Sequence, residues 1–211
     1  MRSVLAVLSG AALFAFATGA SATTINLSTV SSDATPASQL DASFDFSVAG
    51  STLTLTVTNT GTDFNVNEVY FNGTSIVTSL SLTSATHSAT GDVTAAWAPV
   101  EPGSGADGFG VFDFALTDGV GQTNPNIMMP TESIVFVFAI TGSGGYADSD
   151  FIVGNSMGYQ ASAKFVNGPD DPESPGNEDS AFGAVPEPGS ALLLLLAGSS
   201  LAARRRRIRQ H

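Results

Sequence analysis

The stretch SFDFSVAGSTLTLTVTNTG, Ser43 to Gly61, alternates apolar and polar side chains on either side of a short turn cluster. Phe44, Phe46 and Val48 take every second position, Ala49-Gly50-Ser51 interrupts, and Leu53, Leu55 and Val57 resume between threonines. A period of two gathers each apolar set on one face of an extended chain. The pattern predicts a β-hairpin with one buried face and one wet face.

Working outward, the same pattern recurs in NEVYFNG (Asn67 to Gly73), SIVTSLSLTS (Ser75 to Ser84), FGVFDFAL (Phe109 to Leu116) and MGYQASAKFV (Met157 to Val166). SIVFVFAIT (Ser133 to Thr141) differs. Ile134, Phe136, Phe138 and Ile140 share one face and Val135, Val137 and Ala139 the other, which predicts a central strand buried on both faces. Clusters such as NTGTD, EPGSGADG and TGSGGYADSD read as the turns between strands. The fold class expected is all-β, a single antiparallel β-sandwich over residues 23–166, and periodicity does not choose between jelly-roll and immunoglobulin-like topologies. NGPDDPESPGNEDSAFGA, residues 167–184, reads as an acidic, Pro/Gly-rich loop or linker.

Both ends read as transport signals. Arg2, the apolar run Val4 to Ala17 and the small residues Ala20-Ser21-Ala22 form a signal peptide over residues 1–22, with a signal helix and cleavage before Thr23. At the other end, Ala191 to Ala203 is apolar and is expected to form a hydrophobic helix. It reaches about 20 Å at ~1.5 Å per residue, against about 30 Å of hydrocarbon core. Arg204, Arg205, Arg206 and Arg207 follow and act as cytoplasmic stop charges. Val185-Pro186-Glu187-Pro188, the Leu-rich stretch and the arginine run together resemble the PEP-CTERM sorting signal of Gram-negative bacteria, here residues 185–211. The resemblance implies recognition by the membrane transpeptidase exosortase after signal peptidase has acted. It also implies transient inner-membrane insertion of the tail, cleavage near the motif, and delivery to the cell surface or exterior, often beside exopolysaccharide.

Charge is segregated along the chain. Six of the seven basic residues lie in the two terminal signals, so the stretch from Thr23 to Glu187 holds Lys164 alone against all 19 acidic residues, which leaves −18 with histidine neutral. Such a surface offers phosphate nothing, and nucleic acid is excluded as a partner. The chain has no cysteine. Thiolate catalysis and thiolate metal sites are therefore excluded, and a hydrophobic core has to replace disulfides in the exported product.

Candidate chemistry is sparse. His87 in TSATHSATG is the one histidine of the exported segment, and its threonine-rich surroundings predict a solvated strand end rather than a catalytic triad. Asp107 with Asp113, and Asp148 with Asp150, are acid pairs that could serve glycoside hydrolysis, but they are expected to be turn and surface acids. Asp170, Asp171, Glu173 and Asp179 offer oxygens for a Ca²⁺ loop without EF-hand spacing. Trp97 and Tyr146 are the aromatics best placed near loops to stack on a sugar, but a core or edge-packing role is the one expected for Trp97. Lys164 is expected at a solvent-facing strand position or as an edge gatekeeper, with a carboxylate partner in the interior as the alternative. The reading is a non-enzymatic surface or matrix protein needing no cofactor, with a lectin-like module, Ca²⁺-assisted or not, as the alternative and a polysaccharide-acting enzyme behind it.

Overall fold

The computed structural model describes residues 22–27, 29–30, 40–118, 125–168 and 181–187. The signal helix, the C-terminal hydrophobic helix, Pro188, Arg204 to Arg207 and the proposed Ca²⁺ ligands Asp170, Asp171, Glu173 and Asp179 all lie outside the described residues.

The described chain is antiparallel β throughout. Its strands are β1 (Thr23–Asn26), β2 (Thr29–Val30), β3 (Ala42–Ala49), β4 (Thr52–Asn59), β5 (Asn65–Phe71), β6 (Val77–His87), β7 (Gly91–Asp92), β8 (Glu101–Ala106), β9 (Gly110–Thr117), β10 (Ser133–Gly142), β11 (Tyr159–Val166) and β12 (Ala181–Pro186). One helical turn, α1 (Thr94–Trp97), follows β7, and a 3-10 turn spans Asp148–Asp150. Two six-stranded sheets result, ordered β1-β3-β4-β10-β6-β7 and β2-β12-β11-β5-β9-β8.

The hairpin that opened the sequence is β3–β4. Phe44 faces Val57, Phe46 faces Leu55 and Val48 faces Leu53 across it. Gly50 takes the first central position of the two-residue turn at φ +61, which a side chain resists and which matches the right-handed twist of the strands. β10 is central, paired with β4 on one side and β6 on the other. Burial on both its faces does not follow. Ile134, Phe136, Phe138 and Ile140 are buried, but Val135 and Val137 are half-buried and Ala139 is exposed. Their cross-strand neighbours on that face are Thr56, Thr54, Thr86 and Ser84, so the outer face is a threonine and serine surface open to water.

Two segments expected to be irregular are strands. EPGSGADG supplies β8, because an edge position leaves one side unpaired and so tolerates Pro102 and the glycines. The linker expected over 167–184 loses its last residues to β12, which pairs with β11 and β2 and runs into Val185 and Pro186 of the expected sorting motif.

The principal core draws residues from both sheets. Phe71 of β5 touches four rings: Phe114 of β9 at 5.5 Å between centroids, Phe46 of β3 at 5.8 Å, Phe138 of β10 at 5.9 Å and Phe151 at 6.5 Å. Offset and edge-on contacts of this kind add to the burial of the rings themselves. Asn59, fully buried, donates from Nδ2 to the carbonyls of Phe64 and Met128, so the loop after β4 closes without an unsatisfied backbone. Replacing Phe71 by Ala is expected to cost about 3–5 kcal/mol in denaturant unfolding. A loss below about 1 kcal/mol would show that the two sheets do not share this contact.

Candidate functional site

The outer face of the second sheet carries the most organised polar group. Register places Phe182, Lys164, Glu68 and Thr117 side by side across β12, β11, β5 and β9. Alternation places Ala184, Ser162, Tyr70 and Ala115 in the adjoining row. Lys164 Nζ lies 2.7 Å from Glu68 Oε1 and 5.8 Å from the Phe182 ring centroid. The Tyr70 hydroxyl donates to Glu68 Oε2. Lys164 thus faces a carboxylate from a strand inside the sheet, not the solvent-facing or edge position expected for it. Ser162, fully buried, donates to the Gly183 carbonyl at 2.7 Å. Tyr70, Ala106, Phe109, Phe112, Ala115 and Ala184 form a second, smaller apolar cluster over this face, with Tyr159 and Phe182 packed against it.

Burial, then the hydrogen bond to Glu68 and the charges of Glu68 and Glu101, hold the Tyr70 phenol protonated far above its ordinary value of 10.0. Beside the cluster lies a shallow, open groove of about 550 Å³, lined by Gly105, Ala106, Asp107, Gly108, Gly110, Val111, Met157 and Phe182. Val111 and Met157 are each 56% exposed there.

The remaining sequence candidates are spread through the fold and serve it. His87 is buried, contrary to the solvated position expected for it. Its Nδ1 accepts from the amides of Ala89 and Thr90, which places the ring proton on Nε2, 3.2 Å from the Ile127 carbonyl and 3.3 Å from Glu132 Oε2. Both nitrogens are committed to the β6–β7 turn and its neighbour, so the ring has no lone pair for a serine nucleophile.

Trp97 is fully buried, its ring edge-on to Phe136 at 5.2 Å and its Nε1 donating to the Asn126 carbonyl. Trp97 thus takes the packing role expected first for it, and its weaker candidacy for stacking on a ligand falls because the whole ring is buried. Tyr146 packs partly buried against the same core.

The acid pairs also hold backbone. Asp148 Oδ1 accepts from the Val48 amide at 2.6 Å. Asp150 accepts from the Thr74 hydroxyl and the Ala147 amide. Asp113 accepts from the Gly73 amide, and Asp107 sits in the β8–β9 turn at the rim of the groove.

Of the expected sorting motif, Val185, Pro186 and Glu187 are described. Val185 is 5% exposed in the principal core, and Pro186 pairs with Tyr159. Glu187 Oε1 accepts from the Gly154 amide at 2.6 Å, and its own amide donates to the Gly158 carbonyl at 2.8 Å. Sequence reading missed this docking. The one signal available was the apolar alternation of Ala181, Gly183 and Val185, muted by small side chains.

Among the described residues, no helix is long and apolar enough to cross a membrane, and no group of three His, Cys, Asp or Glu is placed to hold a metal ion. Comparison with known proteins finds no matching family model, no matching curated protein and no matching solved structure.

The Tyr70 phenol generates a pH test. Its folded value is raised, so the stability it contributes is complete below pH about 10 and declines as pH rises past that point, where the unfolded chain releases a proton the folded chain keeps. Between pH about 9 and about 11, the denaturant midpoint of the wild type is expected to fall faster than that of Tyr70→Phe. Parallel curves would mean that the phenol titrates as it does in water.

Proposed function

We infer that the chain is a non-enzymatic surface or matrix protein, exported through residues 1–22 and sorted through residues 185–211. Its working part is a single acidic β-sandwich of the two sheets, delivered outside the cell and associated with exopolysaccharide or the envelope. One observation carries the reading: Val185-Pro186-Glu187-Pro188, the Leu-rich stretch and the arginine run follow in order, with no spacer between the last strand and the motif. The tail is an address with a transient anchoring role, because its apolar stretch is short for a permanent span and the arginines hold its end on the cytoplasmic side.

Two further observations support a physical rather than a chemical role for the domain. The histidine, the tryptophan and the acids Asp148 and Asp150 are spent on turns and core. The charge of the segment between the signals is almost wholly acidic, which suits a self-repelling, soluble body among hydrated polysaccharide.

The test uses the native host with and without its sorting enzyme, and a variant lacking residues 188–211. The wild type is expected outside the cell when the enzyme is present and in the inner membrane, arginines attached, when it is absent. The truncated variant should show no dependence on the enzyme. A wild type that distributes identically in both hosts would contradict the sorting role.

A further inference from the structure

The last strand and the sorting motif are the same residues, and the motif's acid is already occupied. β12 lies between β2, near the N-terminus, and β11, so it is zipped into the second sheet on both sides. Beyond its end, Glu187 is fastened twice to the loop between Gly154 and Gly158, through its carboxylate and through its amide.

That loop is itself held from beneath. Asn72, 2% exposed, donates from Nδ2 to the carbonyls of Val153, Tyr159 and Gln160. Gln160 Nε2 donates to the Ile152 carbonyl at 2.6 Å, and Asn155 Oδ1 accepts from the amides of Met157 and Tyr159. Gly154 has no side chain because the carboxyl of Glu187 takes its place: a Cβ there would stand 2.5 Å from Glu187 Cδ. A charged acceptor on a preorganised amide is among the stronger hydrogen bonds a fold makes.

We propose that this contact is a latch which closes the sorting motif when the domain folds. An enzyme that reads Val-Pro-Glu-Pro has to take these side chains into its own cleft. With Val185 in the core and Glu187 on Gly154, the folded domain withholds two of the four. Recognition then competes with the docking of β12, and the sorting enzyme acts on chains whose last strand has not closed or has peeled open. The proposal rests on the sorting role inferred above and adds the order of events to it.

Gly154→Ala tests the latch without touching the motif. The clash falls on the flexible end of Glu187, so the fold is retained and the carboxylate is displaced. Two readouts on the full chain separate the claims. Amide exchange is expected to show the Gly154 and Glu187 amides protected in the wild type, and the Glu187 amide exchanging about tenfold faster or more in Gly154→Ala, with β10 amides as the unchanged reference. In the native host, tail removal is expected to be about tenfold faster in Gly154→Ala.

A Gly154 amide that exchanges in the wild type like an open loop overturns the latch. A protected amide together with equal processing rates overturns the gating while leaving the sorting role intact. A tail kept by both proteins in a host with active sorting enzyme overturns the sorting role, and the gate with it. Should Gly154→Ala fail to fold, wild-type exchange at Gly154 and Glu187 still decides whether the latch exists. In that case Asn155→Ala, which removes the side-chain acceptor that shapes the Gly154–Gly158 loop and leaves the motif intact, supplies the processing comparison.

Discussion

Rings packed between two sheets carry the cohesion of this domain. A chain without cysteine has no cross-link to restrict its unfolded state, so cohesion must come from burial. Phe71 stands at the centre of that layer, touching Phe46 and Phe138 of one sheet and Phe114 of its own. Phe151 joins them from the segment after the 3-10 turn, stacked near-parallel on Phe46. The turn is fixed in its place by Asp148 and Asp150, whose carboxylates bind β3 and the start of the β5–β6 loop. Acids that looked like candidate chemistry thus position an aromatic ring.

The second dependence is topological. The chain crosses from the first sheet to the second at Leu27, between β1 and β2, and β2 then pairs with β12. Leu27 packs where a side chain at residue 183 would otherwise stand, since a Cβ on Gly183 would lie 2.3 Å from Leu27 Cδ2. Glycine at this position is a packing requirement at a close approach of two strands. The short strand β2 and the last described strand, β12, therefore form one side of the second sheet together, and the described chain there runs through Glu187.

Legibility followed side-chain size. β3, β4 and β10 announce themselves because Phe, Leu, Ile and Val alternate with Ser and Thr, and large apolar residues report period directly. β8 and β12 are built from EPGSGA and AFGAVP, where small residues and proline give no period to read. Their strand character is imposed by partners: the edge beside β9 for one, the gap between β2 and β11 for the other. Candidate sites suffered the opposite error. His87 sits among threonines in sequence, but the loop carrying Ile127 and Glu132 folds over it, and sequence proximity says nothing of that cover. Lys164 and Glu68 are 96 residues apart and meet through strand register, which no local pattern encodes.

On this proposal the folded unit runs into the proposed sorting motif as far as Glu187, and the tail beyond it is removed there. The most direct test is the intact mass of the protein recovered from the medium of a native host. The expected product begins near Thr23 and ends at or just beyond Glu187, keeping β12 whole. A product that still carries Arg204 to Arg207, or one that ends before Ala181 and so lacks the last strand, would contradict it.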